Sequence, residues 1–411
     1  MLGFKVRGAW GGTGEAGTTR ESVRAYMGYL ADLGINALFL GIKEGDGALC
    51  WPSAILPQAI KPAYRDFDLP AVFIEEARAV GIEPHAWLID YYEGEKGAAN
   101  TAHPEWAALD AHGRPTAEET LRGRRYDSNW MCPARRPGYT DQWLVPIYAE
   151  LAQRYDFASI HHDYIRYPGD LAPDQYCFCD YCLEKIPEFA GYLNQAYPDE
   201  PFFHELYDRP YLEAHWEQSP RVLPANWSKL PRDVKSRFLL EGSFFQTGRH
   251  DLDYFFYLYR THQINEFARL SYEAVKAANP KVKLSGAIFK NPVHSGRFIG
   301  QDWRQFARWM EIAIPMDYRD HFPGTFPQYL DLLEETIRRQ QVWSRECEAL
   351  YIGIAINFLF KEEEGTGNYP EAKLHQVLER IAGTGAEGAV LFSTWQFREF
   401  GMENAIRKAF R

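Results

Sequence analysis

Residues 4–42 read "FKVRGAWGGTGEAGTTRESVRAYMGYLADLGINALFLGI". The opening "FKVRGAW" (4–10) is a short apolar run of strand type. Val23, Met27, Leu30 and Leu33 then recur at helical spacing, and Gly34 stops the helix. "INALFLGI" (35–42) is strand-like again. Strand, helix and strand in this order imply a parallel pair with a helical crossover. The glycines of "GAWGGTGEAG" lack the spacing and the helix entry of a nucleotide-binding turn. A doubly wound sheet is therefore the second choice, and a barrel the first.

The unit recurs along the chain. "DLPAVFIEEARAVG" is a helix with Asp68 as cap, Pro70 in its first turn and Gly81 at its end, and a strand follows at 82–89. Thr140 is the expected cap of "TDQWLVPIYAELAQRY", which leads to a strand at 157–165. Further strands at 281–289, 313–319, 349–360 and 387–395 alternate with helical stretches. Eight such pairs predict one (β/α)8 TIM barrel over residues 1–411. Residues 169–252 form an insertion after strand four far longer than ordinary βα loops. It is rich in Tyr, Trp, Phe and Pro, carries a cysteine cluster, and reads as a subdomain over the barrel mouth.

The net charge of −11, with Lys and Arg scattered, argues against nucleic acid or an anionic membrane as partner. Aromatic residues are 15% of the chain, which suits either core filling or ligands with flat faces such as sugars. No apolar run reaches the roughly 20 residues of a membrane helix. "MLGFKVRGAW" enters a strand without a signal peptide, so a cytoplasmic protein is expected. Self-association is compatible with the sequence.

Barrel active sites lie at the C-terminal ends of the strands. Strand four ends in "SIHHDYIRYP" (159–168). Alternation sends Ser159, His161 and Asp163 to the axis and His162 outward, with Arg166 and Tyr167 just above. Asp317 follows "AIPM" on strand six at the matching height. Two opposed carboxylates are what glycoside hydrolysis requires. The expectation is that Arg166 keeps Asp163 ionised as nucleophile or base, while the apolar approach of Pro315 and Met316 raises Asp317 as acid. His161, Arg166, Lys290, Asn357, Trp395, Glu44 and Trp87 are the expected carbohydrate contacts. Glu93, like Glu44, reads as a solvated loop carboxylate or else as the second catalytic group. Two other functions compete. A binding barrel without turnover fits if Arg166 locks Asp163 in an ion pair. A lyase or epimerase fits if His161 acts as base beside Lys290.

"QYCFCDYCLEKI" places Cys177, Cys179 and Cys182 in a C-x-C-x2-C cluster, and Cys132 lies upstream in "NWMCPARRPGY". Four thiols in this pattern fit a closed, structural zinc site, with disulfides or free thiols as the alternatives. No organic cofactor is expected. Cys50 and Cys347 read as ordinary buried thiols.

"GINALFLGIKEGDGALCWPSAILP", "GIEPHAWLIDYY", "HPEWAALDAHGRP", "HHDYIRYP" and "QDWRQFARWMEIAIPMDYR" resemble the glycosyl-hydrolase-like family 10 barrels. That likeness spans most of the barrel and implies its fold more than a substrate. "CPARRPGY" with "CFCDYCLEKI" is similar to the zinc segment of family 42 β-galactosidases, which implies zinc-ligand roles for Cys132, Cys177, Cys179 and Cys182. Those enzymes use glutamates on strands four and seven, where this chain has Asp163 and Asn357, so their activity is not implied. An aspartate on strand four paired with one on strand six resembles the layout of the α-galactosidase clan, in position only.

Overall fold

The structure, a computed structural model, describes residues 2–121, 124–126, 128–169, 176–196, 227–240, 251–363 and 365–411. Eight parallel strands close into one barrel. They are β1 (Val6–Gly12), β2 (Ala37–Lys43), β3 (Glu83–Ile89), β4 (Ser159–Asp163), β5 (Lys283–Phe289), β6 (Ile312–Met316), β7 (Ala349–Ala355) and β8 (Gly388–Phe392). β1 pairs with both β2 and β8, which shuts the cylinder. This is a single (β/α)8 TIM barrel.

The strands are buried on both faces, which is why they read as near-continuous apolar runs. Trp10, Phe39, Trp87, Ile312, Ile314 and Val390 pack together inside. A polar string threads this interior. Trp10 Nε1 donates to His161 Nε2 at 3.0 Å, and His161 Nδ1 meets Ser285 Oγ at 2.8 Å. Ser285 continues to Ser159 at 2.9 Å, and Ser159 to His85 Nδ1 at 2.7 Å.

The surrounding helices include α1 (Arg20–Asp32), α2 (Leu69–Ala79), α3 (Val145–Arg154), α4 (Asp251–Ala278), α5 (Pro292–Ile299), α6 (Phe326–Trp343), α7 (Glu371–Gly383) and α8 (Glu403–Phe410). Thr19 and Ser22 form a capping box on α1, and Asp68 accepts from Ala71 N at 3.2 Å on α2. Thr140 is not a cap. It opens a π-helical turn that runs into α3, and its hydroxyl bonds Tyr91 at 2.8 Å.

Two excursions leave the C-terminal ends of β3 and β4. The first, residues 90–139, carries an antiparallel pair, Tyr92–Gly94 with Ser128–Trp130. The second is the insertion expected at 169–252. Residues 170–175, 197–226 and 241–250 of it lie outside the described residues. Its described parts include helices Asp180–Ala196 and Arg232–Leu240. Among the described residues, no helix is long and apolar enough to cross a membrane.

Candidate active site

A cavity of about 650 Å³ opens at the C-terminal end of the barrel. That volume suits a small ligand. Asp163 lies in it at the end of β4, 8% exposed. Trp87 Nε1 donates to its Oδ2 at 3.1 Å, and the Tyr164 backbone N–H donates to its Oδ1 at 2.7 Å. Tyr164 has φ 55, the one non-glycine in the left-handed region among the described residues. Such a conformation costs on the order of 1 kcal/mol and is sustained by packing. Here Tyr92 and Trp130 supply it, with ring centroids 5.2 and 5.4 Å away. Burial pushes Asp163 up to about 7, against the opposing pull of Arg166 and the two hydrogen bonds. The low value expected from Arg166 is reversed, because desolvation by surrounding rings outweighs one nearby cation.

Asp317 does not face Asp163. β6 begins at Ile312, so Ile312, Ile314 and Met316 point inward, and Asp317 falls on the helix-facing side. Placing it in the mouth amounts to a slip of one residue. Gln340 of α6 donates to its Oδ1 at 2.8 Å, while Oδ2 is buried without a partner. Burial pushes Asp317 up to about 8, with Gln340 and Lys290 opposing. Between the unfolded value of about 4 and about 8, the unfolded chain ionises while the native chain keeps its proton, so stability falls as pH rises. Asp317→Asn removes this penalty. Its advantage over wild type should grow by up to about 1.4 kcal/mol per pH unit across that window. Denaturant unfolding at pH 5 and pH 8 checks this; an advantage independent of pH would refute it.

Two other carboxylates do line the cavity. Glu44, just beyond β2, accepts from the Thr13 hydroxyl and pairs with Lys61 at 2.7 Å. Burial acts to raise it, yet Lys61 and Thr13 together hold it below the usual carboxylate range. Asp320, in the turn after β6, is exposed at the rim. Glu93 is not a solvated loop carboxylate. It is sealed with Lys43 at 3.3 Å and accepts from the Tyr139 hydroxyl. Arg319 turns away from the mouth to Glu362 at 2.7 Å.

Of the expected sugar contacts, Arg166, Asn357, Trp395, Glu44 and Trp87 line the cavity. Trp395, 42% exposed, and Phe358, 38% exposed, stand at its edge. His161 and Lys290 do not line it. His161 lies in the barrel interior with both ring nitrogens bonded to Trp10 and Ser285, and burial pushes it well below its ordinary value. Lys290 Nζ donates to the His321 carbonyl and sits 3.7 Å from the centroid of the Phe322 ring. The base pair that a lyase or epimerase needs is therefore not assembled. His162 points outward, to Asp90 at 2.9 Å and Tyr148 at 2.7 Å.

The four cysteines meet between the two excursions. Cys132 Sγ is 3.5 Å from Cys182 Sγ and 3.7 Å from Cys179 Sγ, and the four ligand atoms, Cys177 included, lie within 4.8 Å of one another. A tetrahedral ion with bonds of about 2.3 Å spaces its sulfurs about 3.8 Å apart. Disulfides need about 2.05 Å, and all six cysteines are free. These four buried thiols can hold a metal ion.

The model of a family described as "Putative glycosyl hydrolase domain" matches residues 13–340. The chain belongs to this family. Among solved structures, this chain is similar to the PgaB (BpsB) glycoside hydrolase domain from Bordetella bronchiseptica. The TM-score is 0.65 and the identity 13%, covering 98% of each chain. It is also similar to a β-galactosidase from the psychrophilic Marinomonas ef1, with TM-score 0.60 and 12% identity, over 94% of this chain and 54% of that one. α-L-Fucosidase isoenzyme 2 from Paenibacillus thiaminolyticus matches with TM-score 0.55 and 14% identity, over 100% of this chain and 49% of that one. At these identities the likeness is one of fold. No curated protein matches the sequence.

Several cavity residues were not legible in the sequence. Lys43 was visible as a strand-two terminus but drew no role, and Tyr164, Tyr318, Asp320 and His321 were not singled out. Starting β6 at Ile312 rather than Ala313 is the signal that brings Met316 and the following turn into the mouth.

Proposed function

We propose that this glycosyl hydrolase domain is a glycosidase in which Asp163 is the general acid and Glu44 its ionised partner, acting as base or nucleophile. The observation that carries the reading is the Asp163 carboxyl, buried at the mouth and raised to about 7. A carboxyl that keeps its proton near neutral pH can deliver it to a glycosidic oxygen. Glu44, held ionised by Lys61, supplies the opposite state. Two carboxyls whose environments push them apart are the pattern that acid and base roles require. Trp395 and Phe358 offer flat faces for a sugar ring.

A barrel that only binds sugar is less favoured. Its condition was a closed Asp163–Arg166 ion pair, and among the described residues none is formed. We also propose zinc as the ion of the four-cysteine site. Cys132, Cys177, Cys179 and Cys182 would hold it, leaving no open position for chemistry. Its contribution when bound is to tie the two excursions together.

Release of chromophore from a panel of α- and β-aryl glycosides tests the reading. Glu44→Gln should lower kcat about 10²- to 10⁴-fold, and azide should restore part of it if Glu44 is the nucleophile or base. Full activity in Glu44→Gln would remove Glu44 from the mechanism. No turnover of any glycoside by wild type would defeat the reading itself.

A further inference from the structure

We infer that the sugar taken by this cavity carries an anionic oxyacid group, a carboxylate or a sulfate ester, and that Arg166 is its anchor. The inference rests on the glycosidase reading for the sugar and on Arg166 for the charge.

Arg166 lines the cavity and is 6% exposed. The rings of Tyr164, Trp130 and Phe289 surround its guanidinium, with centroids 4.5, 4.8 and 5.2 Å away. A guanidinium has five N–H donors. Nη1 makes a 3.3 Å bond to the Tyr167 carbonyl, and Nε is buried without a partner. No carboxylate among the described residues forms an ion pair with Arg166. The lysine that lines the cavity, Lys43, is matched with Glu93 at 3.3 Å, and Lys61 behind Glu44 is matched with that carboxylate at 2.7 Å. A buried cation is costly unless an anion meets it. Within this cavity the missing anion is best supplied by the ligand.

The cavity's own carboxylates do not fill that place. Glu44 is engaged by Lys61, and Asp320 is exposed at the rim. Asp163 is bonded through both oxygens to Trp87 and Tyr164. The whole chain is acidic, at −11, so a general field does not gather anions here. The attraction is local, strengthened by rings that exclude water, and the planar fork matches carboxylate or sulfate oxygens.

Calorimetric titration of the full chain tests this without turnover. The ligands are methyl glycosides of glucose, galactose and mannose, each beside its uronic acid and its 6-sulfate, in both anomers. At least one anionic form should bind about tenfold or more tighter than its neutral parent. Arg166→Gln should erase that preference and Arg166→Lys should weaken it, with circular dichroism confirming the fold. A best-binding uronic acid or a best-binding 6-sulfate tells which oxyacid is recognised, and either supports the assignment. Neutral sugars binding as well as every anionic form to wild type would overturn it, whatever the variants do. So would a preference that survives in Arg166→Gln. Arg166-dependent anion binding without hydrolysis of any glycoside would leave this inference standing and remove the glycosidase reading. Hydrolysis of neutral glycosides without anionic preference would do the reverse.

Discussion

Asp163→Asn should reduce turnover of glycosides with unactivated, sugar leaving groups by about 10²- to 10⁴-fold, the usual contribution of a positioned proton donor. The same variant should largely spare aryl glycosides whose leaving groups depart without protonation. The side chain keeps its size and its oxygen can still accept from the Tyr164 N–H, while its amide nitrogen cannot accept from Trp87 Nε1, so the dependence on leaving group, and not the loss alone, reports proton transfer. The acid works only while protonated. Wild-type kcat/KM on unactivated substrates should therefore fall as pH rises through about 7, the value to which burial raises Asp163. That alkaline limb should vanish for activated aryl glycosides. Equal loss on both substrate types would exclude the acid role. A variant inactive on both substrate types would return Asp163 to the role of nucleophile or base.

Removal of the metal should be the largest effect on stability. Elemental analysis is expected to find about one zinc per chain, and a strong chelator should destabilise the protein by more than about 4 kcal/mol. Cys182→Ser should do the same without chelator. The four cysteines sit on the two excursions, and all are buried. Cys132 lies two residues beyond Trp130, whose ring packs on Tyr164 and Arg166. Loosening the cluster should thus lower glycoside binding as well as the melting temperature. Reduced protein that carries no metal, or that melts identically with and without chelator, would refute the site.

The barrel was legible because each strand is a short apolar run and each helix repeats its apolar positions at helical spacing. β4 was legible down to Asp163, since "SIHHD" alternates cleanly once Ile160 is given to the helix layer. β6 was not. "AIPMD" contains no polar residue before Asp317 to mark which face is which, and one residue of error in its start exchanged Met316 for Asp317. The protonation of Asp163 was also out of reach. Arg166 stands three residues away in sequence, whereas burial depends on residues such as Trp87, Phe392 and Tyr318 brought from β3, β8 and the turn after β6. The pair Tyr92–Gly94 with Ser128–Trp130 escaped because its strands are too short for periodicity to show.

The string from Trp10 through His161, Ser285 and Ser159 to His85 has a meaning beyond packing. It links β1, β3, β4 and β5, which in a wholly aliphatic barrel are free to settle at neighbouring heights for little difference in energy. Sliding β4 by one pleat against β5 would carry Asp163 down to the level of Ser285, or raise Ser159 there, and leave Trp10 Nε1 without its acceptor. Each wrong alignment strands a donor or sinks a carboxylate. The string works as an index mark between strands, and what it indexes is the height at which Asp163 emerges into the mouth.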